Sequence, residues 1–152
     1  MKKAEDGFEW HVQKAGYDFD RYDSRGKTDY TKFITAFEQF PWMDQLDYFQ
    51  NNEEGCSPTL SVQDLKTKTA FWVSMAGDRN VHGYLIGYIY PKEKRGFLGL
   101  GSVKTIRWVE IYLTQDDRLV KECFKLFFDR NHGELEVKIR ALEAYGQMEA
   151  RN

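Results

Sequence analysis

The chain has 152 residues but little sulfur, proline or histidine: two cysteines, three prolines and three histidines. Cys56 and Cys123 stand 67 positions apart, which excludes a small disulfide scaffold and leaves a reduced pair of thiols as the expectation. Cys123 falls among apolar helical positions, so a buried structural thiol is expected there rather than a nucleophile. His11, His82 and His132 have no second His or Cys at ligand spacing, so no metal site and no cofactor are expected. No long apolar run exists. The nearest, Gly83 to Tyr90, is far short of the roughly 20 residues a spanning helix needs, and no membrane partner is expected. Acidic Glu5, Asp6 and Glu9 stand where a secretory signal would be apolar, and a cytoplasmic protein is expected. Neither sign of charge dominates: 22 Lys and Arg face 24 Asp and Glu. With a pI near 5.9, a wholly basic nucleic-acid binder is excluded.

Aromatic residues, by contrast, are abundant, at 16 % of the chain, with 41 % apolar residues overall. That load and the small net charge exclude a disordered chain. The length suits one domain over residues 1–152.

Phe8 to Val12 alternates as a strand does, whereas Tyr17 to Lys27 is polar and reads as a loop. Thr28 is placed to cap a helix over 29–40, whose Tyr30, Phe33, Ile34, Phe37 and Phe40 share one face. Pro41 ends it or opens a second short helix through Met43, Leu46 and Phe49. Three strands are predicted at Ala70–Ala76, Tyr84–Tyr90 and Thr105–Leu113, all rich in β-branched and aromatic residues. The short connections between them favour antiparallel pairing. Thr59 to Val62 is either a further strand or, through Ser61 and Asp64, a helix-capping box. Thr114 and Asp117 form a second such box before a helix over 116–130, with His132 and a left-handed Gly133 closing it. Residues 134–147 favour a helix by composition, although Leu135, Val137 and Ile139 also suit a strand. The expected architecture is α+β: an antiparallel sheet of four to five strands with helices mainly on one face.

The predicted strands carry apolar bulk on both faces. Tyr84, Tyr88, Tyr90, Trp108 and Tyr112 would form either a covered sheet face or an aromatic ligand surface. Catalytic motifs are sparse. The glycine-dense stretch Arg95 to Lys104 lacks the ending of a P-loop and precedes a strand, so a hairpin turn explains it best. The basic residues Lys92, Lys94, Arg95 and Lys104 around it read as a solvated turn. Glu9 and His11 would share a strand face as an acid/base pair, but such spacing is common by chance.

The charge map is more informative. Residues 1–60 sum to −5, residues 61–115 to +4 and the remainder to −1. Between Phe33 and Leu65 there is no Lys or Arg, while Glu38, Asp44, Asp47, Glu53, Glu54 and Asp64 alternate with Trp42, Tyr48 and Phe49. Acids steer a cationic partner and aromatic rings anchor it, so Glu38, Trp42, Asp44, Asp47, Tyr48, Glu53 and Glu54 form a candidate surface for a basic protein. The competing reading makes Phe33, Phe37, Phe40 and Trp42 core residues and the acids two solvated helix faces. Phosphate would be repelled, so no direct nucleic-acid partner is expected.

In the segments Pro58–Val62, Phe71–Gly77, Trp108–Tyr112 and Phe124–Phe128 the chain resembles the small immunity proteins of bacterial toxin–immunity systems, including contact-dependent growth inhibition. The resemblance covers about half the chain and is one of style rather than of a specific motif. It implies a non-enzymatic inhibitor that forms a one-to-one complex with a cognate basic toxin domain, often a nuclease. It assigns no residue by position.

Overall fold

The computed structural model describes residues 7–52, 54–96 and 101–150. Among these the chain is α+β, with four helices and one seven-stranded antiparallel sheet ordered β2-β1-β3-β4-β5-β6-β7. The sheet is larger than the four to five strands expected. The strands are β1 (Phe8–Gln13), β2 (Asp23–Thr28), β3 (Thr59–Asp64), β4 (Thr69–Gly77), β5 (His82–Lys94), β6 (Lys104–Thr114) and β7 (Glu143–Glu149). The helices are α1 (Tyr30–Gln39), α2 (Trp42–Asn52), α3 (Asp117–Phe128) and α4 (His132–Arg140).

Both additional strands are edges, which explains why their sequences hide them. β2 occupies part of the expected 17–27 loop. It pairs only with β1 and shows no apolar alternation, because most of its side chains are exposed. β7 takes the second half of the expected 134–147 helix. Leu135 and Ile139 are the buried turn-spaced pair of α4, and the helix stops at Arg140. Beyond it the chain turns and adds Glu143–Glu149 to the free edge of β6. Tertiary pairing overrides local helix propensity there. β5 also runs on through Pro91 to Lys94, beyond the Tyr90 expected, paired with β6 as far as Lys104. Residues 59–64 are strand rather than a helix-capping box.

Helix boundaries shift by local hydrogen bonding. Asp29, not Thr28, caps α1 by accepting the Lys32 N–H at 2.9 Å. Asp116 caps α3, accepting from Arg118 and Leu119 N–H, in place of the Thr114–Asp117 box. The left-handed residue that ends α3 is Arg130, with φ 58°, not Gly133. A non-glycine residue pays of order 1 kcal/mol for that conformation. Here the turn aims the Arg130 guanidinium at Asp64, with Nε 2.9 Å from the carboxylate. Gly133 and His132 lie instead in the first turn of α4.

One face of the sheet carries the core. Phe8, Trp10 and Val12 of β1, Leu60 and Val62 of β3, Phe71, Val73 and Met75 of β4 and Ile86 and Tyr88 of β5 all point to the helices. At the centre Phe124 of α3 meets Phe71 edge-on at 4.8 Å and Phe33 of α1 at 4.6 Å. Each such buried ring stabilises by roughly 2–3 kcal/mol. The five aromatics Tyr84, Tyr88, Tyr90, Trp108 and Tyr112 belong to this helix-covered side, with Tyr88 4 % and Tyr112 8 % exposed. They are not a free aromatic surface.

Two buried carboxylates fasten helices to this face. Asp64 of β3 is 1 % exposed; burial opposes its charge, but Arg130, Thr67 and the Lys66 N–H outweigh that and hold it below its ordinary pKa. Glu110 of β6 is 5 % exposed and accepts from Arg140 Nε and Nη2 of α4 and from the hydroxyls of Tyr90 and Tyr112. The Arg140 hydrogen bonds are the main reason its pKa falls from 4.5 to about 2. A carboxylate with a depressed folded-state pKa contributes stability above its unfolded value and loses it as pH falls. Stability should therefore decline between the ordinary value of 4.5 and about 2. Glu110→Gln is expected to cost about 2 kcal/mol at neutral pH and to flatten that acid limb, measured by urea unfolding across pH. An unchanged acid limb would show that Glu110 does not link α4 to the sheet.

Candidate functional site

The acidic surface expected from the sequence is built around α2. Pro41 accepts the Gln45 N–H as the helix opens, and Leu46 and Trp42 anchor it to the core. Trp42 is 8 % exposed and donates its indole N–H to Phe37 O at 2.9 Å. It is thus a core residue, not an exposed anchor. Glu38, at the end of α1, is ion-paired with Lys121 of α3 at 3.1 Å. Asp47 is ion-paired with Arg79 of the β4–β5 turn, and Gln50 donates to Gly77 O of the same turn. Asp64 is the buried partner of Arg130. Half of the six acids in the cation-free window are therefore matched by cations from distant parts of the chain.

Asp44 and Glu54 remain exposed, and Tyr48 is 52 % exposed. Glu53 lies outside the described residues. The fold adds acids that the sequence window did not include. Gly16 N–H donates to Cys56 O and Cys56 N–H to Tyr17 O, so the loop after β1 is zipped to the turn before β3. The Ala15 N–H donates to Gln45 of α2 at 2.7 Å, and the Tyr48 ring lies against Gly16. Gly55 has φ +78° and meets the backbone of Gly16 and Tyr17, so a side chain there would separate the two segments. This packing carries Asp18, Asp20, Phe19 and Tyr22 to the same end of the molecule as α2. Phe19 is 64 % and Tyr22 56 % exposed. Asp18, Asp20, Asp44 and Glu54 are exposed and have no ion-pair partner among the described residues. Of the nearby cations, Arg79 is taken by Asp47 and Arg21 lies over the Tyr17 ring at 3.9 Å.

Among the described residues, the other sheet face bears no helix. It holds a groove of about 630 Å³ whose floor is the outward row of the central strands, with Phe19, Asp20 and Tyr22 at one margin and Arg107, Met148 and Glu149 at the other. His11 lines it, 9 % exposed, under the Tyr22 ring at 4.6 Å. Burial pushes the His11 pKa below its ordinary 6.5, partly offset by Gln63 and Glu9. Among the described residues its Nδ1 has no hydrogen-bond partner.

The remaining histidines lie outside this groove. His82, at the start of β5, lines a second hollow of about 650 Å³ with Glu143 and Tyr145, and its Nδ1 lies 3.2 Å from Asp78 O. His132 Nδ1 meets the Tyr88 hydroxyl at 2.9 Å, but beneath α4, where burial drives the Tyr88 pKa upward. Among the described residues no group of three His, Cys, Asp or Glu is placed to hold a metal ion, and no helix is long and apolar enough to cross a membrane. Comparison with protein-family models, curated proteins and solved structures finds no match.

Both thiols are buried. Cys123 is 0 % exposed and burial raises its pKa to about 12; Cys56 is 6 % exposed, also raised by burial, with Sγ 3.6 Å from Lys14 O. Neither should react with a disulfide reagent in the native state, and both should react once guanidinium unfolds the chain. Rapid native labelling of either thiol would contradict this burial.

Proposed function

We propose that this protein is a non-enzymatic inhibitor of the immunity type, acting in the cytoplasm by binding a basic toxin domain one-to-one. The observation that supports the reading is the end of the molecule formed by α2, the loop after β1 and the turn before β3. Asp44, Glu54 and Tyr48 are exposed there, and the zipped loop adds exposed Asp18, Asp20, Phe19 and Tyr22, the last three running on to the margin of the sheet groove; among the described residues none of these four carboxylates has an ion-pair partner. Carboxylates in water speed the encounter with a cationic surface, and rings with few torsions supply contact area at low entropic cost. A nuclease fits such a surface, because an enzyme that holds a phosphate backbone presents Lys and Arg along its substrate channel. An acidic lid over that channel competes with the nucleic acid for the same cations. Glu38 and Asp47, being ion-paired, and Trp42, being buried, are supports of this surface rather than its contacts.

The test begins with capture of partners from source cells and their identification by mass spectrometry, followed by titration of the purified pair. Asp18, Asp20, Asp44 and Glu54 changed together to Lys should weaken binding at least about 100-fold, mainly through slower association, with circular dichroism unchanged. Undiminished affinity in a folded quadruple variant would overturn the reading.

A further inference from the structure

The groove on the helix-free sheet face has a feature that partner binding at the acidic end does not use. Pairing across the strands sets His11, Ser61, Trp72, Gly87 and Ile111 in one row, all on this face. Gly87 is buried, and a Cβ built on it would fall within the indole of Trp72. Glycine at this position lets the indole lie flat on the neighbouring strand instead of standing away from the sheet. Among the described residues no other ring packs on Trp72 within the groove, and its side chain is only half-buried. A flat indole resting on backbone is a stacking platform.

The two sides of that platform differ. Toward β1 and β3 the floor is polar: Ser61, Gln63 and the unpartnered, buried Nδ1 of His11. Toward β6 it is aliphatic: Ile89, Val109 and Ile111. The His11 and Trp72 strands are two strand spacings apart, about 10 Å, the length of a fused ring system. The charged groups Asp20, Arg107 and Glu149 lie at the margins and leave the groove without a positive field.

We infer that this groove binds an uncharged, flat heteroaromatic ring that stacks on Trp72 with its hydrogen-bonding edge toward His11 and Gln63 and its apolar edge toward Ile89 and Ile111. A sugar ring fits less well, because its hydroxyls surround it and half of this wall is aliphatic. A phosphorylated ligand gains nothing from margins that carry two carboxylates and one guanidinium. The volume of about 630 Å³ accommodates a fused ring with a substituent.

Riboflavin is the probe, because its ring has a polar dione edge and a dimethyl edge. Added to the unaltered protein, it should lose fluorescence by stacking on the indole and should shift the Trp72 indole N–H resonance, leaving that of buried Trp42 in place. Gly87→Ser, which displaces the indole, should weaken binding about tenfold or more, as loss of one ring stack does. Riboflavin phosphate should bind no tighter than riboflavin. A triple variant with Asp18, Asp44 and Glu54 changed to Lys, which leaves Asp20 at the groove margin in place, should bind riboflavin normally, so failure of one site is distinguishable from failure of the other. No quenching and no Trp72 shift up to about 1 mM would overturn the inference in the native protein, whatever the fate of Gly87→Ser. A Trp72 signal that responds only to a protein partner would overturn it as well.

Discussion

The contact between Phe124 of α3 and Phe71 of β4 is the one on which the rest of the molecule depends. It selects the side of the sheet that the helices cover. Because strand side chains alternate, that choice assigns every residue of β1, β3, β4, β5 and β6 to a covered or an uncovered face at once. The covered face takes the phenylalanines and tyrosines. The uncovered face takes His11, Ser61, Gln63, Ser74 and Trp72, with the aliphatic outward rows of β5 and β6. Two buried carboxylates then lock the layer. Asp64 holds the turn after α3 and Glu110 holds the end of α4.

The parts of this fold legible in the sequence are those whose side chains report burial directly. Phe33 and Phe37 of α1, the β4 to β6 meander and the broad apolar face of α3 follow helical or strand periodicity because each presents one side to the core. β2 and β7 were not legible for the opposite reason. An edge strand exposed on both faces has no apolar period, and what makes it a strand is the neighbour's free N–H and C=O groups. The division of residues 134–147 follows from this: Leu135 and Ile139 dock α4, while the next residues are claimed by the β6 edge.

The candidate site was legible only in part, and electrostatics explains why. A stretch without Lys or Arg is visible along the chain, but the cations that neutralise it arrive through space. Lys121 reaches Glu38 across 83 positions, and Arg130 reaches Asp64 across 66. Conversely, Asp18 and Asp20 join Asp44 and Glu54 through backbone hydrogen bonds between Gly16, Tyr17 and Cys56, which no charge count anticipates. Trp42 could not be told from an exposed anchor until its N–H was seen to reach Phe37 O. The Trp72 platform was hidden in a cross-strand pairing: glycine in a strand reads as a weak point, and its meaning comes from the ring laid over it.

Two surfaces thus stand out among the described residues. One is acidic and ring-bearing, at the α2 end. The other is a groove of mixed polarity on the bare side of the sheet. The most direct measurement of the central claim is the structure of the protein bound to the partner captured from its own cells. Tyr48, Asp44 and Glu54 should be covered, opposite lysines and arginines of the partner. A complex in which those three residues face solvent and the partner sits on the β7 edge or across the sheet groove would contradict it.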